Sequence, residues 1–159
     1  MSEQRASRLQ ELTRDECIEL LRSYSYFGRI GYVVDGVPVI LPVNFVVDGE
    51  SVVFCTAKGS KLSWLSKHSR VAFEVDHGRP LDHSGWSVLV RGTAHEVTDP
   101  DELEALRQGP LHSWAVPSAE HWIRISLDEI SGRRLDRGGI DESPDRRAGP
   151  PRGLSARRR

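Results

Sequence analysis

The residues best placed for chemistry stand together in Phe54-Cys55-Thr56-Ala57-Lys58-Gly59-Ser60-Lys61-Leu62. The run passes from β-branched and aromatic residues through a glycine into a helix-forming pattern, so it reads as a strand end turning into a helix. The first turn of a helix leaves backbone N–H groups without partners, and its partial positive charge favours an anion. Thr56 and Ser60 add hydroxyl donors and Lys58 and Lys61 add charge, so a phosphate monoester is the ligand this segment suits. It is not a Walker loop, which needs four residues between its first glycine and a Gly-Lys-Ser/Thr. The same residues also describe an ordinary helix start, with Gly59 or Ser60 as the cap and two solvated lysines.

Asn44 is a lone amide in a nearly all-apolar run, and a buried amide must find hydrogen-bond partners in the protein or a ligand. Trp86 and Ser87 follow Gly85 directly and put an aromatic plane and a hydroxyl at the start of a long strand. Other constellations carry less. Gly85-Trp86-Ser87-Val88-Leu89 lacks the final glycine of a nucleophile elbow, and its serine leads into a strand rather than from a strand into a helix. His77 and His83 lie near Asp76 and Asp82 with no spacing that fixes them as metal ligands, so no metal site is assigned. His68, His95, His112 and His121 are scattered.

These residues need elements to hold them. Thr13-Arg14-Asp15-Glu16 has the form of a capping box, and Cys17, Ile18, Leu20 and Leu21 give the helix behind it an apolar stripe. Strand-like runs follow at 27–34, 37–47 and 51–56, separated by Asp35-Gly36 and Asp48-Gly49, a strong hairpin signal. In the second run, Val37, Val39, Leu41, Val43, Phe45 and Val47 form one face, while Pro38, Ile40, Pro42, Asn44 and Val46 form the other. Both faces are largely apolar, which predicts a core on one side and a partner or ligand on the other. Pro38 and Pro42 cannot donate to a ladder and point to an edge or a split pairing. A short helix is expected at 58–67, a strand at 70–76, a loop at 77–85 and a long strand at 86–97. A helix opens at Asp99-Pro100-Asp101-Glu102 and stops at Gly109-Pro110, and a last strand is expected at 121–130. About six strands in hairpin order with short helices between them predict a mainly β fold, a small antiparallel Greek-key barrel.

The chain of 159 residues has room for one core. Residues 1–12 are expected as a disordered lead, 13–136 as the folded domain and 137–159 as a disordered tail. That tail carries seven arginines against three acids, a charge of +4, which leaves −5 for the rest of a chain whose total is −1. No global field draws it to nucleic acid or to a membrane surface. Cys17 and Cys55 form no Cys-x-x-Cys pair, and neither a signal-peptide core nor an apolar run of membrane-spanning length occurs. A soluble cytoplasmic protein with reduced thiols is the expectation.

The succession of motifs adds to this. Phe27-Gly28-Arg29-Ile30-Gly31, Leu41-Pro42-Val43-Asn44-Phe45, Thr56 to Leu62, Val71-Ala72-Phe73-Glu74-Val75-Asp76, Gly85-Trp86-Ser87-Val88, Gly92-Thr93-Ala94 and Ile130-Ser131-Gly132-Arg133-Arg134, in that order, resemble the pyridoxamine 5'-phosphate oxidase-like family. The likeness is to its actinobacterial branch related to nitroimidazole-resistance flavoproteins, and it covers roughly residues 12–135. It implies a six-stranded split β-barrel homodimer with FMN at the subunit interface, acting as a flavin-dependent oxidoreductase on a small electrophile. On that template Thr56, Ser60 and Lys61 hold the phosphate, Val43 and Asn44 meet the isoalloxazine, and Trp86 and Ser87 stand near the dimer seam. Related barrels imply two alternatives. One is a reductase using 8-hydroxy-5-deazaflavin, whose tail would need Lys58, Lys67, Arg70 and Arg91. The other is a non-catalytic flavin- or haem-binding module. Cys55 stands where many relatives carry a basic or imidazole residue. Residues 130–139 lack the histidine that pyridoxal-phosphate synthesis uses, which points away from that reaction.

Overall fold

In the computed structural model, residues 7–24, 26–57, 69–81, 83–111 and 120–137 are described. Eight strands and two helices follow in the order β1 (Ser7–Leu12), α1 (Arg14–Ser23), β2 (Phe27–Val34), β3 (Val37–Asp48), β4 (Ser51–Ala57), β5 (Ser69–Arg79), β6 (Ser84–Glu96), α2 (Pro100–Arg107), β7 (Glu120–Ser126) and β8 (Glu129–Arg137). All recorded pairings are antiparallel. Six strands close a ring in the order β6-β5-β2-β3-β4-β7, with β7 returning to β6, and β8 and β1 extend the sheet beyond it.

The split lies in β6. Its residues Gly85–Arg91 pair with β8, while Ala94–Glu96 pair with β7 on the same edge. The expected strand at 121–130 is therefore two strands, broken at Leu127 and Asp128. The break leaves no bare backbone at Leu127, whose N–H donates to the Glu50 carbonyl at 3.2 Å while its own carbonyl accepts from the Arg14 guanidinium at 3.1 Å.

Residues 7–12, expected as part of a disordered lead, form β1 instead and pair with β8 from Ser7↔Arg137 to Leu12↔Gly132. Their sequence shows no apolar alternation because the strand is held by its ladder and by opposite charges across it, Arg8 facing Asp136 and Glu11 facing Arg133. The fold accordingly reaches from Ser7 to Arg137, one strand further back than the sequence indicates.

Local chemistry explains the rest. Thr13 caps α1 with the full reciprocal box: its hydroxyl accepts the Glu16 N–H, and the Glu16 carboxylate accepts the Thr13 N–H at 2.8 Å. Cys17 and Leu21 face the sheet, and a side chain at Gly132 would sit 2.6 Å from the Cys17 sulfur, so the missing Cβ lets α1 dock on β8. Asp99 caps α2 by accepting the N–H groups of Asp101 and Glu102 at 3.1 and 2.9 Å. The first hairpin turns at Asp35 and Gly36, with φ of 50° and 79°. The second turns at Gly49 and Glu50 rather than Asp48-Gly49, because Asp48 still pairs with Ser51, and only Gly49 has positive φ, 57°. The expected loop at 77–85 is mostly ladder, running on to Arg79↔Ser84. A Cβ at Gly85 would lie 2.5 Å from the His77 carbonyl, an approach only glycine permits. The helix expected at 58–67 lies outside the described residues.

The ring encloses Ile30, Phe45, Phe54, Phe73, Val90 and Ile125, with Phe45 and Phe73 edge to face at 4.9 Å. A second cluster of Val53, Val97, Leu111 and Trp122 lies outside the ring, with Leu103 and Leu106 of α2 packed on it. Arg124 ties this side together by donating to Ser51, Asp48 and Glu102.

Candidate functional site

Strand alternation sorts the predicted site residues onto two surfaces. Val43 is buried with the barrel core, whereas Asn44, its neighbour, is half-buried and pairs with the exposed Phe27. Trp86 packs against the core and meets Tyr24 edge-on at 4.9 Å, with His77 stacked beyond it at 6.3 Å, so its ring closes the wall beside α1. Ser87 points the other way, opposite Asp76 on β5 and Arg133 on β8. Asn44 on β3 and Ser87 on β6 thus share the outer face of the sheet, with β2 and β5 between them. Three interstrand steps separate them by roughly 14 Å, too far for both to touch one edge of a small ring within a single chain.

From Asn44 a largely apolar strip runs along the outer face of the β2–β3 ladder. Across the β2–β3 ladder the outward pairs are Val33 with Pro38, Gly31 with Ile40 and Arg29 with Pro42. Ile40 is 70% exposed and Val33 66%. The second face of β3, expected to be covered, is therefore bare within one chain. Its proline half also matches the expected edge, since β4 pairs with β3 only from Phe45 onward. Three charged groups meet beside the strip: Arg29 binds Glu74 at 3.0 Å and Asp76 at 2.6 Å. These hydrogen bonds, that to Asp76 foremost, raise the arginine's pKa. Two carboxylates against one guanidinium leave the patch negative.

Thr56 sits near the end of β4, opposite His121 on β7, and both are partly exposed. Ser60 and Lys61, the remaining phosphate candidates, lie outside the described residues, as do Lys58 and Lys67. Arg70 and Arg91 are engaged: Arg70 pairs with Asp128 at 2.9 Å and Glu129 at 3.3 Å, and Arg91 with Glu129 at 3.2 Å. Sequence reasoning missed the pairing of His121 with Glu96, in which the imidazole Nδ1 meets the carboxylate. The two residues are 25 positions apart, and only the β6–β7 register, Glu96 opposite Ile123, brings them together.

Residues 13–134 match the family model described as pyridoxamine 5'-phosphate oxidase. The chain belongs to that family. An uncharacterised protein of Mycobacterium tuberculosis is 34% identical over 139 residues, 84% of this chain and 90% of that protein. Among solved structures, the FAD binding protein from Mycobacterium smegmatis is 37% identical, with a TM-score of 0.67 over 79% of this chain and 97% of that one. A candidate pyridoxamine 5'-phosphate oxidase from Corynebacterium glutamicum is 31% identical, with a TM-score of 0.70 over 82% and 96%. The split barrel of the oxidase family is thus the fold of this chain, and the motif succession read from the sequence falls inside the matched stretch. Among the described residues, no helix is long and apolar enough to cross a membrane.

Proposed function

We propose that this member of the oxidase family is a flavin-binding oxidoreductase that works as a homodimer, with FMN in the seam, and reduces a small electrophile. The observation that carries the reading is the bare strip of β2 and β3 with Asn44 at its end. A flat apolar ring system needs a dry slot and a few placed donors, and one chain offers only half of such a slot. A second copy laid on Val33 and Ile40 would cover the strip and bring a second Ser87 toward the first Asn44. Asn44 and Ser87 are neutral donors, which suits the polar edge of an isoalloxazine, and the hydroxyl of Thr56 lies apart from the negative Arg29 patch.

Bound flavin would supply the two-electron chemistry. The chain's own residues bind and orient. Asn44 and Ser87 hydrogen-bond the ring's edge, Val43 and Trp86 stiffen the strands behind them, and Thr56, with Ser60 and Lys61, takes the phosphate. The seam excludes water. FAD is the second reading, favoured by the name of the Mycobacterium smegmatis relative. Deazaflavin is disfavoured, because Arg70 and Arg91 already hold carboxylates.

The test is to purify the full chain from cells that make flavins and deazaflavin, record its visible spectrum and mass, and identify the released molecule. Released FMN on a particle of dimer mass supports the proposal, and FAD moves it to the second reading. A monomer that refuses every flavin on titration refutes it.

A further inference from the structure

We propose that His121, oriented by Glu96, receives the anionic phosphate of the ligand beside Thr56. The inference rests on the flavin-nucleotide reading above and adds a residue to its phosphate end. His121 and Thr56 are direct cross-strand partners, which puts their β-carbons about 5 Å apart on one face of the ladder. An oxygen held by the threonine hydroxyl is then within reach of the imidazole.

The ring is not placed at random. Its Nδ1 meets the Glu96 carboxylate, and the two side chains are 36% and 27% exposed. A carboxylate on one ring nitrogen fixes the plane and direction of the other, the device by which proteins orient imidazoles toward a ligand. With Nδ1 turned to Glu96, Nε2 is the ring nitrogen left to face a ligand. A hydrogen bond between that nitrogen and an anionic phosphate oxygen is charge-assisted and about twice as strong as a neutral one.

The arrangement also answers a gap in the sequence. Position 55, the strand neighbour of Thr56, is a cysteine, and its own cross-strand partner is Trp122, so neither brings charge. Arg124 next along β7 is committed to Asp48 and Glu102. On the described parts of β4 and β7, His121 is the basic side chain that stands directly across from Thr56.

The experiment compares FMN with riboflavin, which differ only in the phosphate, by fluorescence titration of the full chain. We expect the wild type to favour FMN, and His121→Gln to reduce that preference about tenfold while riboflavin affinity holds. Glu96→Gln, which keeps the ring but frees it, should lose part of the preference. In the wild-type chain, the His121 ring nitrogen resonances should move with FMN and stay with riboflavin, a measurement that needs no variant to fold. An unchanged FMN preference in His121→Gln, or an equal loss for both ligands, overturns the assignment and leaves the flavin reading intact. A wild type that binds neither ligand overturns the flavin reading and this one with it.

Discussion

A methyl group added at Gly92 would lie 1.8 Å from the backbone carbonyl oxygen of Ser126. That residue stands where β6 passes from pairing with β8 to pairing with β7, and the next N–H, of Thr93, donates to the Ser126 hydroxyl at 3.0 Å. Backbone cannot retreat as a flexible side chain can. Gly92→Ala should therefore cost about 3 kcal/mol and lower Tm by roughly 6–12 °C, read by calorimetry. Tyr32 presents the opposite case. It is buried among the core residues, and its hydroxyl has no hydrogen-bond partner among the described residues, while burial pushes its pKa up. An unsatisfied buried hydroxyl destabilises the fold, so Tyr32→Phe should stabilise by about 1 kcal/mol. A drop in Tm for that variant would mean the hydroxyl has a partner after all.

At the level of elements, the capping box of α1 links stability to pH. The Thr13 N–H, and then its hydroxyl, hold the Glu16 carboxyl below the usual glutamate range. A carboxylate whose pKa is lower folded than unfolded adds stability above its ordinary value and loses it as pH falls through the folded one. Replacing Glu16 with Gln should therefore lower Tm near neutrality, and the gap should close as the solution is acidified below the ordinary glutamate range. A gap that stays constant with pH would refute this. Such local grammar is why much of the fold is legible in the sequence. The capping box, the alternation in 37–47 and the turn at Asp35-Gly36 all state their structure within a few residues. β1 and the break between β7 and β8 do not, because β1 depends on partners more than a hundred positions away, Ser7 on Arg137. Glu96 and His121 belong to the same class: each looks unremarkable alone, and their meeting is a fact of register. Asn44 and Ser87 show the converse: their chemistry marks them in the sequence and the structure puts them on one face, yet too far apart to act within one chain.

For the whole molecule, the bare strip on β2 and β3 sets the expected behaviour in solution. Ile40→Arg, at a site 70% exposed, should leave the stability of a lone chain within about 0.5 kcal/mol. On the proposed flavin-bound homodimer, it should halve the mass seen by light scattering and release the flavin, since an arginine pair cannot be buried face to face without a large desolvation cost. A variant that stays dimeric and flavin-loaded would place the seam elsewhere. The same global view gives β1 a role in time. Ring strands joined by tight hairpins can meet early, but β1 must await β8, the last element described, before it has anything to pair with. Contacts of such long sequence separation form late and slowly, and a ladder at the sheet margin opens first. During synthesis β1 is thus held unpaired until nearly the entire barrel has been made, so a nascent chain stalled before residue 129 exposes the free edge of β6 that β8 later covers.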